Sequence, residues 1–177
     1  MRKRSRNVMR VLAIDPGSRG FGFAIVEWPL QLIDWGVKSA RTTKRRPSSK
    51  VDDLVKKYRP TILLLENCDK NPRRRANARA FARAIHKMAK DKRIAVRLIR
   101  ADRVKQVFGA FHAQTKSEIA CAVAKQLPEL ASILPRVRKP WMTEDYRMSI
   151  FDAAALALTY MYTRSTRGKS GSQHVPQ

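Results

Sequence analysis

Three carboxylates carry the chemistry available to this sequence. Asp15 closes the apolar run Val11-Leu12-Ala13-Ile14, is followed by the turn signal Pro16-Gly17, and precedes Phe21-Gly22-Phe23-Ala24-Ile25, where large and small residues alternate as on a returning strand. Glu66 closes a second apolar run, Thr61-Ile62-Leu63-Leu64-Leu65. Asp152 precedes Ala153-Ala154-Ala155, small residues that let a helix approach a sheet closely. An ionised carboxylate at the end of a buried strand needs water, a cation or a metal ion. As an isolated pattern, strand-Asp-Pro-Gly also serves as a turn cap. Three carboxylates meeting in one cluster need cations, and oxygen donors without His or Cys favour Mg²⁺ or Mn²⁺. Two such ions support metal-dependent hydrolysis of a phosphodiester by in-line attack of water.

The elements that must position these acids can be read along the chain. Leu32 to Lys38 continues the first two strands as a third, and Arg41 to Lys50 reads as a polar, basic connection. Val51, Leu54, Val55 and Tyr58 are spaced for one face of a short helix that Pro60 stops. The run ending in Glu66 is apolar throughout, as a central strand covered on both faces should be. Arg73 to Lys90 has helical propensity, with an apolar stripe of Ala76, Ala80, Phe81, Ala84, Ile85 and Met88 and a basic opposite face. Ile94 to Ile99 reads as a fifth strand, Asp102 to Phe108 and Lys116 to Leu127 as helices, and about Glu144 to Tyr162 as a final helix. That order is expected of an α/β domain of the RNase H-like fold, a central five-stranded mixed sheet flanked by helices. The layout is a basic extension over 1–9, one domain over 10–163, and a basic tail over 164–177 whose composition reads as disordered.

The charge balance names the partner class. The 177 residues hold 38 Lys and Arg against 14 Asp and Glu, a net charge of +24, and 44% hydrophobic content suffices for a core. So basic a folded surface points to a polyanion, with nucleic acid first. Cys68 and Cys121 are far apart without metal-type spacing, which supports neither a disulfide framework nor a zinc site and reads as buried or idle thiols. No segment has membrane-spanning length, and the apolar run after the basic N-terminus is too short for a signal peptide, so a cytoplasmic, nucleoid-associated protein is expected.

Four segments in order resemble the RuvC-type Holliday junction resolvases. They are Ile14-Asp15-Pro16-Gly17-Ser18-Arg19, Leu65-Glu66, Val104-Lys105-Gln106 with Gly109 and Lys116, and Asp152-Ala153-Ala154-Ala155-Leu156-Ala157. The resemblance spans roughly Val11 to Tyr162. It implies a structure-specific endonuclease that resolves four-way DNA junctions by paired nicks in recombination and repair. It assigns Asp15, Glu66 and Asp152 as catalytic metal ligands, Lys105 and Lys116 as phosphate contacts, and a homodimer matched to a two-fold substrate.

Two departures stand beside the resemblance. Resolvases usually place an acid or a His three residues before the helical Asp, and here that residue is Ser149. Asp145, seven residues before Asp152, is the expected fourth catalytic and metal-binding acid, Glu144 is its neighbour, and an N-terminal helix acid favoured by the dipole is an equal reading of Asp145. On one continuous helix Asp145 and Asp152 would be about 10 Å apart along the axis, too far to share an ion. After Glu66 the family tends to offer an aromatic residue, whereas this chain reads Asn67-Cys68-Asp69-Lys70-Asn71-Pro72-Arg73-Arg74-Arg75. Arg73, Arg74 and Arg75 are therefore read as nucleic-acid contacts, as is Arg19 near Asp15. Trp141 and Met142 are expected to pin the Pro140 loop beside the site, and the three histidines read as surface residues. Alternative readings are a RuvC-like nuclease for structured RNA of the pre-ribosomal type, and a basic nucleic-acid-binding module without catalysis.

Overall fold

Period-two alternation along the first strands decides the architecture. The structure is a computed structural model describing residues 8–17, 20–39, 47–67, 72–139 and 141–170, with the backbone alone over 72–78 and 167–170. Among these residues β1 (Arg10–Gly17), β2 (Gly20–Glu27), β3 (Gln31–Ser39), β4 (Ile62–Asn67) and β5 (Ala95–Arg100) form one sheet in the order β3-β2-β1-β4-β5. The β1–β2 and β2–β3 pairs are antiparallel, and β1–β4 and β4–β5 are parallel, so the sheet is mixed as expected. The helices are α1 (Pro47–Tyr58), α2 (Pro72–Asp91), α3 (Ala101–Gly109), α4 (Lys116–Gln126) and α5 (Met148–Ser170), with a 3-10 helix at Pro128–Ile133.

Each face of the sheet buries its own core. Leu12, Ile14, Phe21, Phe23, Ile25, Leu63 and Leu65 pack with Val51, Leu54 and Val55 of α1 and Ile85 and Ala89 of α2. The alternate positions, Val11, Ala13, Ala24, Val26 and Leu64, pack with Phe151, Ala153, Ala154, Ala157 and Leu158 of α5 and with α4. Full burial of each large side chain contributes about 1.5–3 kcal/mol, so a slip by one residue would expose a whole row.

Several boundaries differ from the sequence expectation, each for a local reason. Strand β1 runs through Asp15 to Gly17, because antiparallel pairing with β2 continues through Asp15↔Gly22 and Gly17↔Gly20 after the last β4 pair, Ile14↔Leu65. Helix α1 starts at Pro47, inside the expected connection, since proline is well suited to a first helical turn. Among the described side chains of α2 the buried positions are Ile85 and Ala89, Ala80 is exposed, and the side chain of Ala76 lies outside the described residues. Helix α5 starts at Met148, not near Glu144. The Asp145 carboxylate accepts from the Arg147 backbone N–H (2.9 Å), a local turn that competes with helix. Helix α5 extends to Ser170, past the expected end near Tyr162, because extending an established helix costs far less than starting one. Cys121 is an exposed free thiol, so of the buried and idle alternatives it is not the buried one, and Cys68 lies outside the described residues.

Candidate active site

The alternation that builds the α5-facing core ends in the acids. Val11 and Ala13 face α5, and two residues on, Asp15 follows on the same side, with only 8% of its surface exposed. Leu64 likewise faces α5, and Glu66 follows it on β4. The Ile14↔Leu65 pair makes Asp15 and Glu66 the next residues on two neighbouring parallel strands. Asp15 pairs across β2 with Gly22, and a Cβ built on Gly22 would sit 2.2 Å from the backbone oxygen of Ser149. Glycine there is a spacing requirement: it lets the first turn of α5 lie directly on the strand beside Asp15. Asp152 follows Ser149 by three residues, on the same side of α5, with its side chain 26% exposed. Fully buried Ala153, Ala154 and Ala157 let the rest of the helix press onto the sheet.

A lysine supplies the counter-charge. Lys116 Nζ donates to Asp152 Oδ2 at 2.8 Å and to Glu144 Oε1 at 2.7 Å, linking α4, α5 and the segment before α5. Lys116 is the first residue of α4, held there by a capping box. The Glu118 backbone N–H donates to the Thr115 hydroxyl, and the Glu118 carboxylate accepts from the backbone N–H groups of Thr115 and Gln114. Those backbone bonds, Thr115 first, hold the Glu118 carboxyl below its usual range. Burial opposes the charge on Lys116, but the charge and hydrogen bond of Asp152, and then those of Glu144, outweigh it and raise its pKa. An ammonium raised above its ordinary value stays protonated throughout the neutral range. Lys116 can therefore act as a fixed cation and not as a base.

The other sequence candidates fall in different places. Asp145, expected as a fourth ligand, is turned onto Arg147, whose Nη2 donates to Oδ2 at 2.6 Å, and the hydrogen bond from Arg147 holds its carboxyl below the usual range. Its neighbour Glu144 is the acid joined to Asp152, through Lys116. The Ser149 hydroxyl donates to Tyr146 O at 2.8 Å. Lys105 is exposed on α3, Arg73, Arg74 and Arg75 open α2 with only their backbone described, and Arg19 lies outside the described residues. Trp141 and Met142 do not pin their loop, being 78% and 51% exposed. Among the described residues, no three Asp, Glu, His or Cys side chains converge as a metal-binding group, and Asp152 is engaged by Lys116. The donor chemistry of Asp15, Glu66 and Asp152, oxygen only, fits a hard divalent cation. A cavity of about 660 Å³ between β5, α3 and α5 includes none of these three acids. The link from Glu144 to Lys116 was not anticipated from sequence, although Thr115-Lys116-Ser117-Glu118 is a legible capping box.

No protein-family model and no curated protein matches the sequence. Solved structures do. Thermus thermophilus RuvC in complex with a Holliday junction substrate aligns with a TM-score of 0.62 at 22% identity, over 89% of this chain and 96% of that one. The chain carries the RuvC fold. A second T. thermophilus RuvC structure gives 0.62 at 23% identity, over 89% and 97%. The fowlpox virus Holliday junction resolvase gives 0.57 at 14% identity, over 88% and 99%. The RuvC likeness bears out the α/β sheet expected from the order of elements. Among the described residues no helix is long and apolar enough to cross a membrane.

Proposed function

We propose that this chain is a divalent-metal-dependent endonuclease that resolves four-way DNA junctions by paired, symmetrical nicks. The observation that carries the reading is the placement of Asp15 and Glu66 as the next residues on two neighbouring strands of a RuvC-like sheet, on the face that α5 covers, with Asp152 on that helix beside Lys116. Asp15, Glu66 and Asp152 would hold Mg²⁺ or Mn²⁺, two ions per site. The chemistry supplied by such ions is activation of a water and stabilisation of the leaving 3′ oxygen.

The remaining work belongs to the chain. Strand pairing on β1 and β4 fixes the backbone of buried Asp15 and half-buried Glu66, so little reorganisation of the chain is needed when charge develops at phosphorus. Lys116, kept as an ammonium by Asp152 and Glu144, is a cation that a phosphate oxygen can share. Asp145 has no part in this set because Arg147 engages it. Exposed Lys105 would meet the phosphate backbone, and Arg19, Arg73, Arg74 and Arg75 are the further phosphate contacts proposed from sequence. Two equivalent strands in a four-way junction require two equivalent sites, so the proposal includes a homodimer.

Asp15→Asn is the direct test. With Mg²⁺ it should lower junction cleavage by a hundredfold or more, on the order of the loss when a preorganised charged group is removed from a transition state. Junction binding should stay as tight or tighter, since a negative charge facing phosphate has gone. Cleavage at the wild-type rate would overturn the assignment.

A further inference from the structure

Four large apolar side chains stand in solvent within one short segment before α5. Val137, Trp141, Met142 and Tyr146 are 76%, 78%, 51% and 71% exposed, and they are half of the eight large hydrophobic residues exposed among the described residues. Single exposed apolar residues are ordinary, but a concentrated group marks a surface with a partner. Arg136, Arg138 and Lys139 are exposed on the same segment. Lys139 Nζ lies 5.5 Å from the centroid of the Trp141 ring. The Met142 backbone N–H donates to Lys139 O at 3.0 Å, closing a tight turn that carries the indole.

This segment is tied to the carboxylates. Glu144, three residues after Trp141, accepts from Lys116, which also donates to Asp152. Three residues of chain span at most about 10 Å, so the indole is anchored at the rim of the candidate site. Flat rings beside cations are what unpaired nucleotides require, since the bases stack and the phosphates meet the charges, and the two acids of the segment, Glu144 and Asp145, are already paired with Lys116 and Arg147. An acidic peptide would use the cations but has no need of the rings.

We propose that residues 136–139 and 141–146 form a stacking platform for unpaired bases of branched DNA, with Trp141 the principal ring, Tyr146 the second, and Arg136, Arg138 and Lys139 on the flanking phosphates. The proposal rests on the nuclease reading above for its substrate. It adds the part of the substrate that is gripped and the residues that grip it.

The test uses the full chain in EDTA with three probes: a four-way DNA junction, a linear duplex and a single-stranded thymidine oligonucleotide. Trp141→Leu keeps an apolar side chain and removes the ring, whereas Trp141→Phe keeps a ring. The site is exposed, so folding is undisturbed in both variants. Trp141→Leu should lose about tenfold in affinity for the junction and the oligonucleotide and less than about twofold for the duplex, with Trp141→Phe restoring most of it. The oligonucleotide should also quench tryptophan emission in the wild type, and the quench should vanish in Trp141→Phe. Equal losses on all three probes, or no loss, would overturn the proposal. If the wild type binds the junction no tighter than the duplex while Trp141→Leu still loses the oligonucleotide, the platform stands and the junction reading fails.

Discussion

The two faces of the sheet are built from the same strands and do different work. Under α1 and α2, Leu12, Ile14, Phe21, Ile25, Leu63 and Leu65 make a wholly apolar layer. Under α5, the alternate residues of β1 and β4 begin apolar, at Val11 and Leu64, and end in Asp15 and Glu66. A one-residue offset thus separates a side chain that holds the fold from one on the face covered by α5, the helix that carries Asp152. The apolar face tolerates loss of volume at a cost in stability, while the α5 face depends on close approach and charge.

That contrast yields a graded set of predictions. The largest effect on stability should come from the apolar face: Ile14→Ala should cost about 2–5 kcal/mol in urea unfolding, yet cleave junctions normally wherever it is folded. Gly22→Ala should cost about 1–3 kcal/mol, because its methyl group meets the Ser149 carbonyl at 2.2 Å. Unlike Ile14→Ala, it should also slow cleavage when fully folded, since α5 is pushed away from Asp15. Normal activity in Gly22→Ala would break the comparison. Smaller still, Glu144→Gln should slow cleavage about two- to fivefold, as an exposed ion pair permits, while Asp145→Asn leaves the rate unchanged.

The smallest effect lies far from the acids, where Asp52 bonds Lys56 and Lys92. The hydrogen bond from Lys56 leads in holding its carboxyl below the ordinary value, outweighing the opposing effect of burial. A lowered carboxyl contributes stability above its unfolded pKa, near 4, and loses it as pH falls through the folded value. Asp52→Asn should therefore be less stable than wild type by under about 1 kcal/mol at pH 7, with the two curves converging in acid. A gap that widens in acid would contradict this sign.

The acids and the fold around them were legible because both follow from pattern. Alternation along Val11 to Asp15, the apolar run to Glu66 and the small residues after Asp152 set the strands, the sheet order and the packed helix. What pattern could not supply were the pairings that depend on three dimensions. Helical spacing put Asp145 on the face of Asp152, but the helix starts at Met148, and Arg147, two residues away, engages Asp145 first. Glu144 reaches Lys116 across a separation of 28 residues that no local periodicity encodes. Gly22 reads in sequence as a small residue in an alternating strand, and only the approach of Ser149 shows why a side chain is excluded. Trp141 reads as a packing residue because large aromatic residues are usually buried, and its exposure is a property of the surface alone.

The central claim is that these acids cut branched DNA, and the most direct measurement maps the cuts. A synthetic four-way junction, each strand labelled in turn, is incubated with the full chain and Mg²⁺ beside a linear duplex and a structured RNA. The account predicts nicks at symmetrical positions in two opposing strands of the junction, with duplex and RNA intact. Cleavage of the RNA alone, or binding to the junction without cutting in Mg²⁺ or Mn²⁺, would contradict it.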